Sequence, residues 1–324
     1  MSGDLVTMRD LRVLFRSADR TVHAVNGVDL TLAQGEVMGL LGESGSGKSV
    51  TLRALLRLLP PKRSHITGKI EVAGHDVMAM DEAATRDYRG SVVSMIFQEP
   101  MLAFDPVFTV GEQIAEAVMR HEKVNKAAGM ARALEMLDRV RIPSAKRRLE
   151  AYPHEMSGGM RQRAMIALAL ACKPKLLLAD EPTTALDATV QIQILLLLRE
   201  LQREMGMGVI FVTHDMGVAV EVSDKIAVMY AGRVIESGTV RDVIRSPSHP
   251  YTQGLLSSTV HGSMRGKRLE AIPGAPPNLA TAPVDCAFSP RCKHVAPECK
   301  TGIPALAPVA QGHLAACARL GALV

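Results

Sequence analysis

Eight consecutive residues, Gly42-Glu-Ser-Gly-Ser-Gly-Lys-Ser49, carry the spacing of a phosphate-binding loop: a glycine, four residues, then Gly-Lys-Ser. Glycines at 42, 45 and 47 let the backbone turn sharply and bring N–H groups toward phosphate oxygens, helped by the positive end of the helix that follows. In such a loop Lys48 reaches the β- and γ-phosphates of a nucleotide as a point charge, and the Ser49 hydroxyl ligates Mg²⁺. The flanks agree with this reading. Glu36 to Leu41 is an apolar run of strand length, and Val50 to Leu59 has helical spacing.

A second group of residues has types suited to the same chemistry. Lys175-Leu-Leu-Leu-Ala-Asp-Glu181 reads as a buried strand ending in two carboxylates. After a phosphate loop, Asp180 is placed to hold Mg²⁺ and Glu181 to orient or deprotonate the attacking water. His214-Asp215 follows the apolar strand Gly208 to Thr213, at the end where open α/β sheets carry their reactive residues. Ser157-Gly158-Gly159 opens a helix expected to run to about Cys172, which makes a second candidate phosphate site at a helix N-terminus. Gln98 closes the expected strand Val92 to Gln98, and Asp187 leads into an amphipathic helix from Val190 to Glu204. Phe15 ends the first strand region of a chain with 3% aromatic residues, and its ring either stacks on adenine or fills the core.

Four of the five cysteines, Cys286, Cys292, Cys299 and Cys317, fall in the last forty residues. In a reducing cytosol that clustering favours metal or redox chemistry over structural disulfides. Four thiolates suit a tetrahedral Zn²⁺ site or a four-iron cluster. Separations of five, six and seventeen residues match neither paired C-x-x-C knuckles nor ferredoxin runs. Arg291, Lys293 and Lys300 stand beside these cysteines and are expected to offset the negative charge of a cluster.

These groups need a scaffold, and 324 residues with 47% hydrophobic content can bury one large domain and a smaller appendage. Leu5 to Phe15 and Val28 to Leu32 read as an antiparallel lip before the phosphate loop, with a polar segment between them. Lys69 to Val72 is a further strand. From Glu99 to Pro153 helical patterns take over, at Val110 to His121 and Lys126 to Val140, and imply an all-helical insertion. Lys225 to Tyr230 and Arg233 to Glu236 are the last strands. Beyond Ser246 ten of the eighteen prolines accumulate and periodicity fades, so the boundary of the tail is placed there. The net charge of +5 is dispersed, without the basic blocks of a nucleic-acid binder. No leader is read in Met1 to Met8, and the longest apolar runs, such as Ala164 to Cys172, reach about half of the ~20 residues that span a bilayer. The chain is expected in the cytosol, with any membrane role exerted through partners.

In order, the Gly42 to Ser49 loop, Gln98, Ser157-Gly158-Gly159, Asp180-Glu181, Asp187 and His214 resemble the Walker A, Q-loop, signature, Walker B, D-loop and switch histidine of ATP-binding cassette (ABC) ATPases. Ile96-Phe-Gln-Glu-Pro100, Asp180 to Asp187, His249-Pro-Tyr-Thr252 and the cysteine-bearing tail look like ATPase subunits of bacterial oligopeptide and dipeptide importers, with nickel importers in the same group. The resemblance implies an α/β phosphate-loop NTPase fold of ABC type, with an antiparallel β subdomain, a helical insertion at about 99–156, and a C-terminal extension over 246–324. It implies ATP contacts from Phe15, Gly42, Ser44, Gly45, Ser46, Gly47, Lys48, Ser49 and Val50, Mg²⁺ ligation by Ser49, Gln98 and Asp180, and catalytic roles for Glu181, His214 and Gln98. Ser157, Gly158 and Gly159 would act on the ATP of a partner cassette. The departures are Met156 and Met160, where leucine and glutamine are commoner, Val50 in place of a second hydroxyl residue, and Phe15 in place of tyrosine. Members of this group carry a [4Fe–4S] cluster on C-terminal cysteines, which favours iron over Zn²⁺ here. The implied partners are a second, different ATPase subunit, two transmembrane permease subunits and an extracytoplasmic substrate-binding protein, with the chain on the cytoplasmic face of the inner membrane. Soluble cassette ATPases of DNA repair or translation would need a long coiled-coil insertion or a second cassette, and the sequence has neither.

Overall fold

A computed structural model of the protein describes residues 3–183, 186–258 and 271–322, so Thr184 and Ala185 of the expected D-loop approach lie outside the described residues. Packing divides the chain at Met78/Ala79 and Ile210/Phe211. Ala79–Ile210 forms one compact unit, and Gly3–Met78 joins Phe211–Val324 in the other.

The unit built from both ends of the chain contains two sheets. One is antiparallel, in the order Thr21–Leu32, Val6–Arg16, Ser64–Val72, His75–Asp76. The expected lip is present, and its second strand starts at Thr21, seven residues earlier than the alternation of Val28 to Leu32 implies. Val6, Met8, Leu11 and Val13 all face the core although Met8 and Leu11 are three apart. The extra residue is absorbed by an irregularity in the ladder, where Asp10 takes φ 43° and its N–H donates to Asp29 Oδ1 at 3.0 Å. Within this unit the strands of the second sheet run Ala307–Ala310, His313–Ala315, Arg233–Thr239, Lys225–Tyr230, Val37–Leu41, antiparallel except for the parallel pairing of Lys225–Tyr230 with Val37–Leu41.

The tail is therefore no loose appendage. It adds two strands to the edge of Arg233–Thr239 and shares one core with the strands around the phosphate loop, in which Leu41, Ile226, Val228 and Ile235 pack with Tyr251, Phe288 and Ala316. The rings of Tyr230, Tyr251 and Phe288 meet with centroids 4.6 to 5.4 Å apart, tilted or edge-on, each pair contributing about 0.5–1.5 kcal/mol beyond its buried area. Buried Glu236 fastens the tail to its strand by accepting from Ser248 N–H at 2.7 Å and His249 N–H at 2.9 Å and pairing with His313 Nε2 at 2.8 Å. Burial pushes the His249 imidazole down to about 3, and its neutral Nδ1 accepts from Tyr251 N–H at 3.0 Å to cap the helix Pro250–Ser257.

The other unit holds a parallel pair, Val93–Ile96 on Leu176–Asp180, and the helical insertion. Helix Val110–Glu122 begins with a capping box between Thr109 and Glu112, and helix Lys126–Arg139 with an Asn125 cap. Val110, Ile114 and Val118 of the first, and Ala133, Met136 and Leu137 of the second, are buried. Helix Glu82–Ser91, capped by Asp81, has no counterpart in the sequence pattern, because it buries only Thr85 and Tyr88, too few apolar residues to show a period. Among the described residues no helix is long and apolar enough to cross a membrane.

Candidate nucleotide-binding site

In the first-described unit the strand Val37–Leu41 delivers the chain into the loop, and helix Lys48–Leu55 leaves it. Gly42 has φ 148° and Gly47 φ 103°. A Cβ at Gly42 would stand 2.2 Å from Met229 O, and one at Gly47 2.5 Å from Ala24 O, so the loop path excludes side chains at both positions. Ser44 and Gly45 form the exposed tip, Ser46 is buried, and Ser49 and Val50 are half-buried at the helix start. The loop is pinned from below by Gly232 N–H donating to Ser46 O at 2.9 Å, while Asn26 Nδ2 donates to Ala231 O at 2.8 Å. Lys48 is 5% exposed, and its Nζ donates to Gly42 O at 2.7 Å, Glu43 O at 2.9 Å and Ser46 Oγ at 3.4 Å. Its ammonium thus lies inside the ring of backbone that a phosphate would enter. Phe15 is a partly exposed ring on the antiparallel sheet, opposite Val22 and Ser64. His214 is exposed just past strand Gly208–Thr213, and Asp215 caps the next helix by accepting from Gly217 N–H at 2.8 Å.

In the other unit the parallel register pairs Ile96 with Ala179, so the residues two further along, Gln98 and Glu181, leave their strands side by side. Gln98 Nε2 is 3.4 Å from Glu181 Oε2. The strand carrying Gln98 ends at Ile96 rather than at the glutamine itself, and Gln98 is exposed in the turn beyond. Asp180 closes its strand at 4% exposure, and Glu181 follows in the left-handed region at φ 46°. A glutamate held there is strained, and such strain persists where the surroundings fix a side chain's aim. Ser157 caps helix Gly158–Leu170 by accepting from Met160 N–H at 3.3 Å, leaving Gly158 exposed and Gly159 half-buried in its first turn. Met156, the departure noted above, is buried and acts as core filling. Asp187 caps helix Ala188–Met205 through Val190 N–H at 3.0 Å.

Cys286, Cys292, Cys299 and Cys317 line one small cavity together with Phe288 and His294, and none is in a disulfide. Cys286 N–H donates to Cys299 O at 3.2 Å, and the Sγ atoms of Cys292 and Cys317 accept from His294 N–H and Arg319 N–H at 3.4 Å each. Burial raises the thiols of Cys286, Cys292 and Cys317 above their ordinary range. Among the described residues no group of three or more His, Cys, Asp or Glu is arranged to hold a metal ion, so the expected metal site is not found as such. The four thiols are nevertheless a donor set of the soft kind that zinc and iron–sulfur clusters take. The expectation for Arg291 is corrected: its guanidinium is engaged by Glu43 of the phosphate loop. Lys293 and Lys300 are exposed. Sequence reasoning missed Tyr251 and Arg291 as neighbours of the loop; the only available signal was the His249-Pro-Tyr-Thr252 motif, whose role cannot be read without the contact it makes.

Residues 25–184 match the family model for the ABC transporter, and residues 235–299 match the oligopeptide/dipeptide transporter C-terminal region. The chain is 47% identical to the oligopeptide transport ATP-binding protein OppD of Salmonella typhimurium, over 97% of this chain and 93% of OppD. It is 44% identical to the dipeptide transport ATP-binding protein DppD of Bacillus subtilis, over 97% and 94%. The solved dimer of the ATP-binding cassette MJ0796 in a post-hydrolysis state, bound to ADP and Pi, superposes with a TM-score of 0.65 at 28% identity, covering 73% of this chain and 99% of that one.

Proposed function

The chain belongs to the ABC transporter family of ATPases, and from that premise we propose that it is the ATP-hydrolysing subunit that powers import of peptides across the cytoplasmic membrane. The observation that carries the cargo is the match of residues 235–299 to the oligopeptide/dipeptide region, in a chain aligned over 97% of its length with peptide-transport ATPases. In this reading residues 1–245 are the nucleotide-binding domain, with a helical subdomain at about 99–156, and 246–324 are the extension.

The loop amides and Lys48 bind the β- and γ-phosphates, and Phe15 stacks on adenine. Ser49, Asp180 and Gln98 are the residues that would hold Mg²⁺, which when bound neutralises charge on those phosphates. Glu181 takes the proton of the attacking water, and His214 contacts the γ-phosphate. Ser157, Gly158 and Gly159 serve the nucleotide of a second cassette, with Asp187 at the joint between them. A single chain leaves its own site incomplete. The partners are a different ATPase subunit, two permeases and an extracytoplasmic binding protein, with this chain peripheral on the cytoplasmic face. Reconstituted with them in liposomes, the chain should drive ATP-dependent uptake of di- or oligopeptides, whereas the purified monomer hydrolyses ATP only slowly. Uptake of nickel or another small solute but not of peptide would refute the cargo, and transport-level turnover in a verified monomer would refute the shared site.

The tail cysteines are read as ligands of a [4Fe–4S] cluster. Cys286, Cys292, Cys299 and Cys317, which line one cavity together, are the residues that would hold it. ATP hydrolysis needs no electron transfer, so the group's role is structural or regulatory. Anaerobic purification should give brown protein with about four irons per chain, and Cys292→Ser should bleach it. A colourless preparation with stoichiometric zinc, or with no metal, overturns the cluster.

A further inference from the structure

Glu43, the first variable residue of the phosphate loop, is held at each of its three polar groups. Its carbonyl accepts from Lys48 Nζ at 2.9 Å, which is local to the loop. The other two grips come from beyond residue 250. The Glu43 N–H donates to the hydroxyl of Tyr251, a residue with 0% exposure, at 2.8 Å. The Glu43 carboxylate receives both terminal nitrogens of Arg291, Nη1 at 2.6 Å and Nη2 at 3.0 Å. This is the two-pronged geometry in which guanidinium and carboxylate planes match, and the Arg291 side chain is only 4% exposed. Its remaining donors are also engaged: Nε with Pro273 O at 2.8 Å, and Nη1 with Tyr230 Oη at 3.3 Å. A side chain anchored at so many points cannot follow Glu43 if the loop moves. It sets where Glu43 stays.

Charge gives the arrangement a second consequence. A carboxylate one residue past Gly42 lies beside the path that a nucleotide's phosphates would take, and unpaired it would repel them. Arg291 cancels that charge from within the protein and leaves Lys48 free of competition from it.

We propose that Arg291, assisted by Tyr251, is a positioning residue for nucleotide binding: by fixing and neutralising Glu43 it sets the path of the phosphate loop and makes the C-terminal segment part of the ATP site. The inference rests on the reading that this loop binds ATP. It differs from a mere staple between tail and loop, which would affect thermal stability alone.

The experiment is a titration of the full chain with MgATP, alongside thermal unfolding, for Arg291→Met, Glu43→Gln, the double variant and Lys48→Ala. Arg291→Met should weaken ATP binding about tenfold, because it leaves a half-buried carboxylate uncompensated next to polyphosphate. The double variant, lacking both charges, should recover most of that loss, a non-additivity that reports direct coupling. If Arg291→Met does not fold, Arg291→Lys keeps the charge without the fork and should bind about threefold more weakly. Wild-type affinity in Arg291→Met, or in Arg291→Lys where that variant stands in, overturns the positioning role while the loop assignment stands, provided Lys48→Ala has lost binding. If Lys48→Ala binds normally, the loop assignment has failed, and this proposal with it.

Discussion

Lys48→Ala is expected to bind ATP roughly 10- to 100-fold more weakly than the parent chain, the loss corresponding to one charge-assisted hydrogen bond of about 1.5–3 kcal/mol. The side chain is at 5% exposure, and its bonds to Gly42 O, Glu43 O and Ser46 Oγ all lie inside the loop. An ammonium has three donors and no acceptor. When phosphate oxygens arrive, the contact most readily exchanged is the longest, to Ser46 Oγ at 3.4 Å. The bonds to Gly42 O and Glu43 O then keep the loop closed around the anion. Alanine removes both effects, the attraction and the closure. Calorimetric titration with MgATP checks the affinity, and a thermal unfolding curve separates loss of the charge from collapse of the loop. Unchanged affinity in a folded variant would show that Gly42 to Ser49 is not the phosphate site.

What could be read from the sequence were features set by neighbours along the chain. The Gly42 to Ser49 loop needs glycine at 42 and 47 because a Cβ there would strike backbone, and that requirement is written in the residues themselves. The pairing of Gln98 with Glu181 was half legible: each stands just past an apolar strand, but only the register Ile96 to Ala179 puts the two side by side. Long-range contacts left no local trace. Arg291 reaches a residue 248 positions away, and its adjacency to Cys292 suggested a different partner. The tail was hardest, because Ala307–Ala310 and His313–Ala315 are too short to show alternation. They are strands because the edge of Arg233–Thr239 offers unpaired backbone groups, a cause that lies outside their own sequence.

Glu181→Gln should leave ATP affinity near that of the parent and lower hydrolysis about 10²- to 10⁴-fold, the span that a positioned general base contributes. The substitution is selective for chemical reasons. Glutamine has nearly the same size and keeps an oxygen that can accept from Gln98 Nε2, so the 3.4 Å contact between the two strand ends survives. It needs the same left-handed backbone, φ 46°, that the strand exit already imposes on Glu181. The lost property is the ability to take a proton from water. Asp180, the residue assigned to Mg²⁺, is untouched at the buried end of strand Leu176–Asp180. Nucleotide therefore binds without being consumed, and cassette dimers that form on ATP should accumulate rather than open. Phosphate release in a single turnover measures the chemical step, and size-exclusion chromatography with MgATP measures the trapped dimer. If the variant turns over ATP at near-parental rate in the assembled transporter, Glu181 is not the base, and its proximity to Gln98 serves only to tie two strand ends together.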